Sequence, residues 1–152
     1  MSRKVTASAP SKIILFGEHF VVYGGLAIAL PVEKRSMASV KAGHERDEPK
    51  LKLKSGEMHA TAWPDGKYEG EELMRAVAAV YSHVLSKKKC DETLHAEVST
   101  DGILKGMGGS ASVCASFAAA LCAYLHMKCT NAEIFDAAQA GEEVAHGGGR
   151  AE

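Results

Sequence analysis

The residues with the most chemistry in the shortest stretch are Lys105-Gly106-Met107-Gly108-Gly109-Ser110-Ala111-Ser112. The glycines at 106, 108 and 109, with Gly102 just before them, permit backbone conformations that a Cβ forbids and let a ligand approach the main chain. From Ser110 the sequence runs Ser-Ala-Ser-Val-Cys-Ala-Ser-Phe-Ala-Ala-Ala-Leu-Cys-Ala-Tyr-Leu. It is small or apolar on nearly every face, which predicts a buried helix. A glycine-rich turn opening such a helix presents unpaired N–H groups and the positive end of the helix dipole, and both favour an anion, above all phosphate. Ser110 and Ser112 are expected to place hydroxyls at that mouth, where one would ligate the magnesium that accompanies a nucleoside triphosphate. An ordinary glycine-rich connection capped by Ser110 uses the same residue types. Spacing excludes two other phosphate loops. No Gly-Lys-Ser/Thr follows, as a Walker A loop requires, and Gly106-Met-Gly108 lacks the glycine three residues on of a dinucleotide fingerprint.

A second polar pair, Glu18-His19, follows Gly17 at the end of the apolar run Ile13-Ile14-Leu15-Phe16. A strand that delivers Glu-His to its end places ligand contacts, although a plain turn reads the same way. Glu143-Val-Ala-His146 has the Glu-x-x-His spacing of a di-iron bundle, but neither a second such motif nor two further helical glutamates accompany it. His44 and His59 fall in surface regions, His83 and His95 on expected solvent faces, and His126 near a helix end; none reads as a metal ligand. Trp63 and Tyr81 read as packing residues. Cys90, Cys114, Cys122 and Cys129 show no Cys-x-x-Cys spacing, and read as reduced, mostly structural thiols of a cytoplasmic protein.

The 152 residues amount to about one domain, with a formal net charge of −1 that gives no nucleic-acid or polyanion footprint. The amino terminus lacks the apolar region of a signal peptide, and no run reads as a membrane span.

The elements that must position these residues follow from periodicity. Val5–Ala9 and Ser11–Phe16 read as strand segments broken by Pro10, with Ile13–Phe16 a continuous apolar run like that of a strand covered on both faces. Leu26–Leu30 reads as a strand stopped by Pro31, and Ser36–Lys41 continues the pattern. Residues 44–50 form a charged loop, and Leu51–Lys54 with His59–Trp63 an exposed antiparallel hairpin, followed by a turn at Pro64-Asp65-Gly66. Leu73, Ala76, Val77, Val80, Tyr81, Val84 and Leu85 form a helical stripe that ends at Lys87-Lys88-Lys89. Leu94, Ala96 and Val98 alternate as a half-buried strand running into the glycine loop. Thr130-Asn-Ala-Glu133 is a capping box opening a helix with Ile134, Ala137, Ala138, Gly141, Val144 and Ala145 on its apolar side, stopped by the glycines at 147–149. Periodicity supports an α+β protein.

Three segments together resemble a known family. Ala9-Pro10-Ser11-Lys12-Ile13-Ile14-Leu15-Phe16-Gly17-Glu18-His19-Phe20-Val21-Val22-Tyr23-Gly24 is similar to the first motif of mevalonate kinases, within the GHMP small-molecule kinase superfamily. Gly106-Met107-Gly108-Gly109-Ser110-Ala111 resembles that superfamily's second motif, Gly-Leu-Gly-Ser-Ser-Ala. Gly141-Glu142-Glu143-Val144-Ala145-His146-Gly147 resembles the helix end before its Ser-Gly-Ile/Val-Asp segment. The resemblance spans nearly all of the sequence, yet about the N-terminal half of such a kinase. It implies the superfamily's N-terminal ATP-binding domain over residues 1–152, of the ribosomal protein S5 domain 2-like type: a mostly antiparallel sheet with helices packed on one side and a left-handed βαβ arrangement. It further implies ATP and magnesium as cofactors and transfer of a phosphoryl group to the 5-hydroxyl of mevalonate. Lys12 would counter charge near the transferred group, and Glu18, His19 and His146 would face or shape the mevalonate site. The loop from Lys105 to Ser112 would wrap the ATP phosphates. Ser110 would contact phosphate and magnesium, and Glu142 would be the acidic magnesium ligand.

Two departures from the pattern stand out. Gly109 replaces the first serine of the second motif, and the sequence stops at Gly149-Arg150-Ala151-Glu152, where the family continues into Ser-Gly-Ile-Asp. That aspartate is the family's expected base or hydroxyl-orienting group. The resemblance therefore implies a second chain, or a missing C-terminal half, that supplies it. Other readings are a related kinase acting on phosphomevalonate or a sugar, and a non-catalytic nucleotide- or metabolite-binding module.

Overall fold

Period-two alternation and helical stripes assemble into one mixed sheet covered by helices. The structure, a computed structural model, describes residues 3–147. The expected start at Met1-Ser2, the stop at Gly148-Gly149 and the end at 150–152 lie outside the described residues. The strands are β1 (Lys4–Phe16), β2 (Ile28–Ala42), β3 (Leu51–Ser55), β4 (Met58–Ala62), β5 (Tyr68–Gly70) and β6 (Leu94–Ser99). They form a six-stranded sheet in the order β1-β2-β6-β3-β4-β5. Every pairing is antiparallel except that of β3 with β6, which is parallel. The helices are α1 (Arg75–Lys87), α2 (Gly109–Tyr124) and α3 (Asn131–Ala145).

The register explains why one face is covered. Val40 pairs with Ala96, Ala38 with Val98, Leu51 with Leu94 and Ala62, and Leu53 with Ala96 and Ala60. All of these are buried, so the apolar residues of four strands share one face. α1 and α2 pack there, and α3 lies on α1 and α2. The α+β reading and the mostly antiparallel sheet hold. α2 is buried almost all round, with Phe117, Ala118, Ala120 and Leu121 fully enclosed. Truncating Phe117 to alanine there would cost about 3–5 kcal/mol. α3 starts at the expected capping box, with Thr130 Oγ1 accepting from the Glu133 N–H at 3.3 Å and the Glu133 carboxylate accepting from the Thr130 N–H at 2.8 Å.

Several expectations are corrected. β1 continues through Pro10, because β1 is an edge strand and a register shift falls between Pro10 and Ser11, so no ladder bond is needed from the missing N–H. β2 likewise runs through Pro31. Its partner β6 pairs only with Met37–Ala42, which leaves Pro31 on an open edge. The 51–62 hairpin is buried on one face rather than exposed, since β3 is interior to the sheet. Leu73 is solvent-exposed and Met74 takes its place in the core, because a 3-10 turn over Glu72–Met74 precedes α1 and rotates the stripe. His83 and His95 are half-buried, and Val144 and Ala145 are exposed.

The largest correction concerns Ile13–Phe16. Ile14, Leu15 and Phe16 are exposed, as are Phe20–Tyr23, Leu26, Ile28 and Leu30 of the connection and the facing strand. Gly17 turns the chain at φ +88°, where a Cβ would stand 2.1 Å from the Leu26 carbonyl oxygen.

On the sheet's open face, Glu45 bonds Lys52 Nζ at 2.5 Å and His95 Nε2 at 3.0 Å. Lys52 first, then backbone N–H groups and His95, lower its pKa to about 2. A depressed carboxylate contributes stability that is fully present above its ordinary 4.5 and lost as pH falls toward 2. Glu45→Gln is therefore expected to lower the melting temperature near neutral pH, by a margin that shrinks across that window. Thermal melts at stepped pH read the margin, and one that stays constant contradicts the assignment.

Candidate functional site

The glycine loop is fastened to the outer edge of β1. The Lys12 N–H points away from β2 and donates to the Met107 carbonyl at 2.9 Å. Two successive turns shape the loop, with the Ile103 N–H donating to the Thr100 carbonyl at 2.9 Å and the Met107 N–H to the Leu104 carbonyl at 3.1 Å. Gly106 and Gly108 take φ of +90° and +69°, where side chains other than glycine's are strained. Gly108 is constrained twice, because a Cβ there would meet Lys12 Cε at 3.1 Å and Cγ at 3.2 Å. The Lys12 stem thus lies across the glycine that opens α2.

Gly108 is also the N-cap of α2 and supplies no side-chain cap. The first intrahelical bond runs from the Ser112 N–H to the Gly108 carbonyl at 3.0 Å. The N–H groups of Gly109, Ser110 and Ala111 precede it and are open to a ligand. Ser110 is not the cap. Its exposed hydroxyl donates to Glu142 Oε1 at 2.5 Å. Ser112, expected at the mouth, is 4% exposed and turned inward: its hydroxyl shares a 2.6 Å hydrogen bond with that of Ser36 and donates to the Gly109 carbonyl at 3.1 Å. It braces the carbonyl of the first residue of α2. Lys105 is exposed on the outer turn of the loop.

Glu142 reaches Ser110 because α3 comes very close to its neighbours at Gly141. A Cβ at 141 would lie 2.6 Å from Cys114 Sγ and 2.9 Å from both the Ala76 carbonyl oxygen and Val80 Cγ2. Burial, and then the Glu142 charge, push the Cys114 thiol up to about 12, so it stays a neutral packing group. His146 caps α3, with its N–H on the Glu142 carbonyl at 3.0 Å, and stands one turn beyond Glu142.

The structure therefore brings together Lys12, the 106–111 loop, Ser110 and Glu142. It does not join Glu18 and His19 to them. Those two sit in the turn after β1, with His19 Nε2 and Glu18 Oε1 3.9 Å apart and side chains 89% and 52% exposed. Phe16, where the strand ends, is four residues beyond Lys12, or about 13 Å of strand. Sequence reasoning missed three nearby groups. Lys34 Nζ lies 3.5 Å from the position of a Cβ on Gly102, putting a further cation at the root of the loop. Ser36 supports Ser112. Ser11 Oγ, beside Lys12, is buried with no hydrogen-bond partner among the described residues. Lys34 sits where β2 carries two extra residues opposite Pro10 and Ser11, and nothing in the residue types announces that shift.

Among the described residues, no group of three His, Cys, Asp or Glu side chains is placed to hold a metal alone. A single carboxylate with one hydroxyl suits magnesium, which keeps waters and takes its other ligands from substrate phosphates. The uncapped N–H groups, and the cradle at Gly108 that a Cβ would fill, suit the phosphates. No helix of the described residues is long and apolar enough to cross a membrane.

The sequence profile described as GHMP kinases N terminal domain matches residues 71–151. The chain is 28% identical to the mevalonate kinase of Aeropyrum pernix over 152 residues, covering 97% of this chain and 46% of that protein. It is 29% identical to the phosphomevalonate kinase of Saccharolobus solfataricus, covering 89% of this chain and 41% of that one. The solved mevalonate kinase of Methanococcus jannaschii superposes with a TM-score of 0.74 at 22% identity, over 95% of this chain and 48% of that structure. The chain thus spans about half the length of the relatives it matches.

Gly141→Ala tests the close approach that positions Glu142. The added methyl has no room, and a loss of about 1–3 kcal/mol is expected from overpacking. Chemical denaturation measures it, and an unchanged midpoint means that α3 does not sit this close.

Proposed function

The chain belongs to the GHMP kinase family, and from that premise we propose that it forms the nucleotide-holding half of an ATP-dependent kinase that phosphorylates mevalonate at its 5-hydroxyl. The observation that carries the reading is the Ser110–Glu142 pair at the uncapped start of α2, with Lys12 lying across the same glycine turn. Phosphoryl transfer asks a protein mainly for positioning and charge neutralisation. The open N–H groups of residues 109–111 hold phosphate oxygens, and the Lys12 ammonium offsets charge that grows on the transferred group. Ser110 and Glu142 would hold magnesium, which when bound neutralises phosphate charge. His146, one turn from Glu142, would border the acceptor alcohol, with Glu18 and His19 reaching it from the turn after β1.

A base for the hydroxyl is missing from this set. A second chain, or further polypeptide, is proposed to supply the aspartate and to cover the apolar residues from Ile14 to Leu30. Their exposure, and the half-length match to the relatives, support this. The likeness to a phosphomevalonate kinase favours a second reading, the same chemistry on phosphomevalonate.

The test is native mass spectrometry of the chain purified from its own host, followed by ADP release with each alcohol. A bound second chain and mevalonate-dependent release are expected. Lys12→Met should lower that release by about 10²-fold or more, since it removes one charge-stabilising group. Release that depends on phosphomevalonate alone selects the second reading. Binding of magnesium-ATP with no alcohol-dependent release leaves a binding module.

A further inference from the structure

Two of the four cysteines, read from the sequence as reduced and mostly structural thiols, face each other. Cys122 lies in the last turn of α2, and Cys129 immediately precedes Thr130, the N-cap of α3. Their sulfurs are 2.7 Å apart. The chain is folded back to bring them together. The Leu125 N–H donates to the Leu121 carbonyl at 2.9 Å and the Met127 N–H to the Cys122 carbonyl at 2.9 Å, and His126 adopts φ +54° in the left-handed region. That conformation is unusual for a non-glycine residue, and here the hydrogen-bonded reversal fixes it. Cys122 is 4% exposed, whereas Cys129 is only half-buried. The remaining cysteines stand differently: Cys114 packs against Gly141, and Cys90 Sγ is 3.7 Å from the Glu92 carbonyl oxygen.

We infer that Cys122 and Cys129 form a thiol–disulfide exchange site, which a small-molecule disulfide converts to an intrachain Cys122–Cys129 bridge. The sulfurs stand within about 0.7 Å of the ~2.05 Å bond, so each moves by a few tenths of an ångström to close it. Cys129, the more exposed thiol, attacks the external disulfide as thiolate, forms a mixed disulfide and expels one small thiolate. Cys122 then loses its proton and attacks Cys129 Sγ, expelling the second. Two electrons pass from the cysteine pair to the external disulfide, and the two protons leave on the two small thiols. Burial, and then Cys129, push the Cys122 thiol up to about 12, which makes it the slower, resolving sulfur. The bridge ties the end of the helix that opens at the glycine loop to the start of the helix that carries Glu142. The exchange itself does not depend on the kinase reading.

Graded mixtures of reduced and oxidised glutathione, applied to the folded wild-type chain, test the site. The reaction is quenched by alkylation and read by intact mass and non-reducing peptide mapping. The expected result is the loss of two hydrogens, one crosslinked peptide joining 122 to 129, and full reversal by excess reduced glutathione. Cys122→Ser should instead stop at a stable glutathione adduct on Cys129, while a Cys90→Ser/Cys114→Ser variant should still close the bridge. A stable adduct on Cys129 of the wild type, a bridge between two chains, or a crosslink to Cys90 or Cys114 overturns the inference. These readouts are masses, so their failure leaves the phosphotransfer assay untouched, and an inactive kinase leaves them untouched in turn.

Discussion

The arrangement rests on α2 being gripped from both sides. One side lies on β1 and β2 and the other on α1 and α3, and Phe117, Ala118, Ala120 and Leu121 are fully enclosed between them. A helix held this way cannot tilt or slide without opening voids along its length. Its amino terminus is therefore a fixed point. The loop before it is fixed as well, because the Met107 carbonyl is tied to the edge of β1. Small residues allow the grip. Alanines and serines on α2, and glycine at 141 on α3, let backbones approach where larger side chains would hold them apart.

That rigidity has an electrostatic consequence. An uncapped helix start leaves N–H groups without partners, which is unfavourable unless solvent or a ligand satisfies them. A serine or aspartate at position 108 would cap the helix, but it would carry a Cβ into the Lys12 stem and at a positive φ. Glycine at 108 thus leaves the helix start uncapped, with the stem of a lysine drawn over it. The acidic side chain that faces this positive end is on another helix, so its position is set by tertiary packing at Gly141 and not by local sequence.

Much of this was legible in the sequence, and the failures share a cause. The alternation of Leu94, Ala96 and Val98, the α2 run and the capping box at Thr130 are local signals, and each produced the element it indicates. The glycine spacing indicated a turn with special backbone angles, and Gly106 and Gly108 have them. What failed depended on partners. Pro10 and Pro31 interrupt a strand only where a neighbour needs their N–H, and no periodicity tells which edges are open. Ser112 reads as a mouth hydroxyl until Ser36, distant in sequence, claims it. The proximity of Cys122 to Cys129 depends on a left-handed residue at His126, a conformation that histidine visits more than most residues but that its presence alone does not signal.

The exposed runs Ile14–Phe16 and Leu26–Leu30 are the sharpest case, because there the sequence and the fold disagree about burial. A continuous apolar stretch signals a covered strand. Here it extends past the reach of the helices, since α2 and α1 cover the face formed by residues 36–42, 51–62 and 94–98 and not the far end of the β1–β2 ribbon. Ten large apolar residues between Ile14 and Leu30 are exposed, and exposed apolar surface gathered in one region marks a contact site. Its placement matters as much as its size. The ribbon begins beside Lys12 and ends at Glu18 and His19, so whatever covers it lies along the line from the glycine loop to the Glu-His turn. A surface that completes the hydrophobic cover would, by the same contact, enclose the space between those two polar groups. Packing of the ribbon and the surroundings of Glu18 and His19 are then one requirement.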